Sequence, residues 1–174
     1  TEMNQALSIA LPSLNFPRPA ITDGTDTIRP ATLRGMAPEA DITVVELDPA
    51  VVKVAKQFFK FETGPKLAVE VSDGRVFIKR ALAKGEHYDL IMLDAFEDDY
   101  IPEHLLTQEF LTEVKGVLTP DGVLAANTFS SSGLYPYESA TYAAVFGQFY
   151  NLKMANRIIW AQPGNLTDMM TIHQ

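Results

Sequence analysis

Tyr88-Asp-Leu-Ile-Met-Leu-Asp94 is an apolar run of strand length that stops abruptly at an acidic loop ending in Glu103. Strand interiors of parallel sheets read as Val/Ile/Leu runs because helices cover both of their faces. Such a strand needs a layered α/β surround, and in open α/β sheets the ligand crevice lies outside the strands' carboxyl ends. Here that end carries Asp94, Glu97, Asp98, Asp99 and Glu103. Like charges so close together repel, so they call for solvent, a cationic partner, a metal or a shared proton.

The rest of the sequence supplies matching layers. Apolar residues at helical spacing over 3–14 predict a helix, which Pro17 and Pro19 end. A short strand over 20–24 and a helix over 30–37 follow, then the strand 41–47. Asp48 and Pro49 read as the cap and first turn of a helix with Val51, Val52, Ala55, Phe58 and Phe59 on its apolar face. Strands are expected at 67–71, 88–94 and 122–128, with helices after Asp73-Gly74 and over 107–118 and 137–150. Two closing strands, 152–160 and 167–173, are expected to form an antiparallel hairpin through Gln162-Pro163-Gly164-Asn165. Strands alternating with helices imply βαβ crossovers, hence a doubly wound, mostly parallel, Rossmann-like sheet in a single domain spanning 1–174.

Composition narrows the function. The 174 residues carry a net charge of −8, which disfavours nucleic acid or an anionic membrane as partner and suits a cationic or neutral small molecule. With no cysteine, neither disulfides nor thiolate metal sites are available. No apolar run approaches the ~18 residues of a membrane helix, so a cytoplasmic protein is expected. The start Thr1-Glu2-Met3-Asn4 reads as that of a truncated piece.

Three strand ends carry acids. Glu46 stands where an acid hydrogen-bonds ribose hydroxyls in nucleotide-binding sheets, and it reads equally as a solvated strand-end residue or part of a helix cap. Asp73 suits an exocyclic amine, and suits the N-cap of the helix opening at Gly74 just as well. Asp94, after Leu-Ile-Met-Leu, favours function. His104 reads as a solvated loop residue, because the scattered His87, His104 and His173 do not converge on a metal. Ser130-Ser131-Ser132-Gly133 lacks the G-x-S-x-G pattern and reads as a loop over the crevice. Tyr135, Tyr137 and Tyr142 are expected in helix packing.

Taken in order, Val45-Glu46-Leu47-Asp48-Pro49, Ser72-Asp73-Gly74, Tyr88 to Asp94, Leu105-Leu-Thr-Gln-Glu-Phe110 and Leu118-Thr-Pro-Asp-Gly-Val-Leu124 resemble the spermidine synthase (polyamine aminopropyltransferase) family. The resemblance covers nearly the whole chain and implies the class I S-adenosylmethionine-dependent methyltransferase fold. It implies that Glu46 binds the ribose hydroxyls of decarboxylated S-adenosylmethionine, and that Asp73, with Gly74, meets the adenine amino group. Asp94 would be the first acid of the family's D-S-S-D motif and Glu97 the second, with Ala95-Phe96 in place of the serines. Glu103 would match the glutamate of the following G-P-A-E-x-L segment, and Asn127 a polar residue near the amine. Of the family's glycine-rich loop, Gly24 and Asp26 remain, with Thr25 and Thr27 between and after them. The family's N-terminal β-domain is missing from this chain. No metal is implied; the partner is a small amine, and a homodimer is admitted. Two other readings stay open: a methyltransferase using S-adenosylmethionine itself, and a non-catalytic protein that keeps the sheet.

Overall fold

A computed structural model describes residues 7–11, 37–59, 61–94, 101–128, 133–153 and 157–166. Among the described residues seven strands form one sheet: β1 (Leu7–Leu11), β2 (Ile42–Glu46), β3 (Leu67–Val71), β4 (Tyr88–Asp94), β5 (Leu118–Thr128), β6 (Phe149–Lys153) and β7 (Arg157–Ala161). Their spatial order is β3-β2-β1-β4-β5-β7-β6. The helices are α1 (Pro49–Phe58), α2 (Gly74–Lys84), α3 (Gln108–Val117) and α4 (Tyr135–Phe146), with a 3-10 turn at Glu103–Leu105. Parallel pairing joins β2 to β3 and β4 to β5, each across a helix. β1 runs antiparallel to both β2 and β4, and β7 antiparallel to both β5 and β6.

Local chemistry sets the helix starts. Asp48 Oδ1 accepts from the Ala50 amide at 2.7 Å, and Pro49 takes the first turn of α1, where its missing N–H costs nothing. Asp73 caps α2 by accepting from Val76 N at 2.9 Å, and Gly85, at φ 68°, ends it in the left-handed region. Thr107 caps α3 through Phe110 N at 3.1 Å.

The two faces of the sheet are filled unequally. Phe77, Ile78 and Ala81 of α2, Phe110, Leu111, Val114 and Val117 of α3, and Tyr142 and Phe146 of α4 pack on Val45, Ile91, Leu93, Leu124, Ala126 and Ile159. The opposite face holds a smaller cluster of Ile42, Val44, Leu67 and Leu90 with Ala37 and Ala40. The apolar residues expected to bury α1 are only half-covered, and Phe58 and Phe59 are exposed.

Three expectations change. Residues 7–11 form a strand rather than part of a helix, because the slot between β2 and β4 supplies a ladder on each side that overrides local spacing. An antiparallel hairpin pairs 149–153 with 157–161, across the stretch 152–160 expected as a single strand. Pro163-Gly164 follows β7 rather than turning the hairpin, since Arg157, Ile159 and Ala161 are already buried against β5. Helix 137–150 is replaced by α4, which ends at Phe146. The expected elements at 20–24 and 167–173 lie outside the described residues, as does the expected helix 30–37 except for Ala37, which is not helical.

Gly122 sits where β5 meets β4. A Cβ there would lie 2.9 Å from Tyr88 O and 3.0 Å from Thr119 N, both fixed backbone atoms. Gly122→Ala is therefore expected to destabilise the protein by about 1–3 kcal/mol, measured by urea unfolding.

Candidate nucleoside and amine site

Strand alternation puts the candidate acids on one face. Ile42 and Val44 belong to the smaller cluster, so Glu46, two residues on, points the same way. By the same alternation Asp94 follows Leu90 and Met92, and Asn127 follows Val123 and Ala125. All three therefore lie on one side of the sheet at its carboxyl end, where this class of fold binds ligands.

Asp94 and Asn127 meet directly: Asn127 Nδ2 donates to Asp94 Oδ1 at 2.9 Å across β4 and β5. Burial pushes the Asp94 carboxyl up, against the opposing pull of that hydrogen bond. Asn127 Oδ1 is buried and has no partner among the described residues. A buried acceptor without a donor is costly, and it fits a ligand N–H or ammonium brought to Asp94.

Glu46 is buried, with 1% of its surface exposed. Burial raises its pKa from 4.5 to about 7, even though the amides of Asp48 (2.9 Å to Oε1) and Leu47 favour the carboxylate. Between about pH 4.5 and 7 the folded state thus holds a proton that the unfolded chain has lost. This contribution to stability is present below 4.5 and disappears as pH rises through 7. The melting temperature of wild type is expected to fall across that window relative to Glu46→Gln; parallel curves would contradict the assignment.

Asp73 fills the capping role, with Oδ1 on Val76 N, and its Oδ2 lies 3.0 Å from His104 Nε2. His104 is exposed, as a solvated loop residue would be, and it also makes that contact. The two residues are 31 positions apart, so no local pattern announces it. Gly74 is the first residue of α2, and Glu103, exposed, opens the 3-10 turn. Glu97 and Gly24 lie outside the described residues, as do Ser130–Ser132.

Tyr142 packs in the core as expected, and Tyr137 is exposed. Tyr135 instead stacks on the buried Arg157 guanidinium, 3.9 Å from ring centroid to Cζ. A depression of about 510 Å³ is lined by Pro49, Val52, Lys53, Lys56, Gln57 and Val71, and by none of the site residues. Among the described residues no group of three His, Cys, Asp or Glu is placed to hold a metal ion, and no helix is long and apolar enough to cross a membrane.

The sheet, with its acids gathered at the carboxyl ends of β2 and β4, defines a Rossmann-like protein of the class I methyltransferase type. Residues 23–171 match the model of the spermine/spermidine synthase domain, and the chain belongs to that family. It is 47% identical over 149 residues to the polyamine aminopropyltransferase of Vibrio vulnificus (strain CMCP6), covering 83% of this chain and 50% of that protein. It is 36% identical over 138 residues to the eEF1A lysine and N-terminal methyltransferase of Bos taurus, covering 72% of this chain and 20% of that one. The chain thus spans half the length of the first relative and a fifth of the second.

Among solved structures it is similar to human methyltransferase-like protein 13 in complex with SAH, at 30% identity and a TM-score of 0.66, over 74% of this chain and 65% of that one. A probable spermidine synthase from Corynebacterium glutamicum ATCC 13032 shares the fold at 23% identity, with a TM-score of 0.65 over 78% and 52% of the two chains. A spermidine synthase of the same fold, at 20% identity and a TM-score of 0.57 over 70% of this chain and 46% of that one, was solved in complex with the transition state analogue AdoDATO.

Proposed function

We propose that this chain is the nucleoside- and amine-binding domain of a polyamine aminopropyltransferase, with decarboxylated S-adenosylmethionine as donor and a small diamine as acceptor. The observation that carries the reading is the Asp94–Asn127 pair, whose buried Asn127 Oδ1 lacks a donor. Family membership and the 47% identity to the Vibrio enzyme support it.

The donor supplies a methylene beside a sulfonium, which leaves as a neutral thioether. The acceptor must reach it as a free amine, so its ammonium has to lose a proton first. Asp94 is suited to both tasks. As a carboxylate it holds the ammonium, and burial raises its proton affinity toward that of a base able to take the proton. Asn127 keeps the Asp94 carboxylate oriented and offers Oδ1 to a second N–H of the same amine. As the new N–C bond forms and the C–S bond breaks, the proton rests on Asp94.

Glu46 accepts from the ribose hydroxyls in its ionised form, so nucleoside affinity is expected to strengthen as pH rises through about 7. Asp73 takes the exocyclic amine of adenine, with Gly74 opening α2 beside it. Glu97 and Glu103 hold the distal ammonium of the diamine, and Gly24 lies against the nucleoside.

A methyltransferase reading has support of its own in the 30% identity to human methyltransferase-like protein 13. Melting temperatures separate the two. A ligand at 100 times its dissociation constant adds ~2.7 kcal/mol to the native state. Under the aminopropyltransferase reading, decarboxylated S-adenosylmethionine and methylthioadenosine raise the melting temperature, and putrescine adds to the rise. Stabilisation by S-adenosylmethionine alone, with no putrescine effect, would favour the methyltransferase. No response to any of them would sink both readings.

A further inference from the structure

His104 takes no part in the chemistry above, yet it joins the two halves of the site. Its Nε2 lies 3.0 Å from Asp73 Oδ2, while Asp73 Oδ1 is held by Val76 N. Both oxygens of the adenine-facing carboxylate are thereby fixed. The backbone of His104 is held as well: its carbonyl accepts from Arg75 Nη1 at 3.3 Å. Arg75 is braced in turn by Glu113, with Nε and Nη2 donating at 2.9 and 3.2 Å. On either side of His104, Ile101 is buried and Leu105 packs on the main core cluster. Glu103 sits between these anchors, at the exit of the acidic loop.

We infer that His104 is a positioning residue: it latches the Glu103 turn to Asp73 and so makes diamine affinity depend on the nucleoside side of the site. The inference rests on the aminopropyltransferase reading for the roles of Asp73 and Glu103. A structural filler at position 104 would influence both ligands through overall stability. A latch acts on the turn and on the amine, and leaves the capped Asp73 able to meet adenine.

The test combines calorimetry with amide hydrogen exchange on wild type, His104→Ala and His104→Gln. The reporters are the Leu105 and Leu106 amides, which donate to Pro102 O at 2.9 Å and Glu103 O at 3.0 Å within the turn. In His104→Ala these two amides are expected to exchange faster, while Leu111 in α3 stays at the wild-type rate. Putrescine affinity, measured on protein saturated with methylthioadenosine, is expected to weaken about fivefold, the scale of one hydrogen bond lost. Methylthioadenosine affinity stays near wild type. His104→Gln, whose amide N–H can reach Asp73, recovers most of both effects.

Unchanged exchange at Leu105 and Leu106 overturns the latch. Faster exchange with unaltered putrescine affinity overturns its positioning role, as does an equal loss of both ligands together with a lowered melting temperature. If wild type itself binds no putrescine, the aminopropyltransferase reading falls and this inference with it. Putrescine binding that is present in wild type and intact in His104→Ala overturns the inference alone.

Discussion

Arg157→Met is expected to destabilise the protein by about 3–5 kcal/mol, the usual cost of leaving one member of a buried ion pair without the other. The Arg157 side chain is fully buried and that of Glu138 is 3% exposed. The guanidinium Nη1 lies 3.3 Å from Glu138 Oε2, Nη2 donates to Ser139 Oγ at 2.7 Å, and Nε donates to Asn151 Oδ1 at 3.1 Å. Burial already raises the Glu138 pKa against the opposing pull of Arg157, and its Oε1 has no partner among the described residues. Removing the arginine therefore leaves a carboxylate with little to compensate its lost hydration. Adding Glu138→Leu to Arg157→Met is expected to regain most of the loss, because apolar residues of similar volume remove both desolvation costs together. Urea unfolding of the two singles and the double closes the cycle. A single Arg157→Met within about 1 kcal/mol of wild type would mean that water reaches the cluster.

The second large effect falls on Asp94. Asp94→Asn keeps the shape and the neighbour of the side chain but removes both the negative charge and the proton acceptor. Turnover is expected to drop by roughly 10²–10⁴-fold, the range for a lost general base. Methylthioadenosine affinity is expected to stay near wild type, because the nucleoside is assigned to Glu46, on β2, and to Asp73, at the start of α2. An equal loss of nucleoside binding would place Asp94 in the wrong half of the site.

Legibility in the sequence followed the range of the interactions. Strands β2 to β5 and the helices between them are written in contiguous signals: apolar runs, Asp48-Pro49, the Asp73 cap, and Thr107 ahead of α3. The shared face of Glu46, Asp94 and Asn127 follows from the same strand period once the pairing is known. What failed was non-local. Residues 7–11 have helical apolar spacing, and only the vacancy between β2 and β4 makes them a strand. No local signal marks Arg157 as buried, because its partner Glu138 lies 19 positions earlier. His104 looks like a loop residue because its partner Asp73 belongs to another βα unit. Pro163-Gly164 is a strong turn signal, yet it follows the last described strand, and the described hairpin turns between Lys153 and Arg157.

In the proposed site, Asp94 and Asn127 hold an amine on the face of the sheet that also carries Glu46, and Glu46 and Asp73 hold the nucleoside. Calorimetric titration of putrescine into methylthioadenosine-saturated protein tests this arrangement most directly. Wild type is expected to bind putrescine saturably and Asp94→Asn to lose that binding, with methylthioadenosine still bound by both. Equal putrescine affinity in wild type and Asp94→Asn would contradict it.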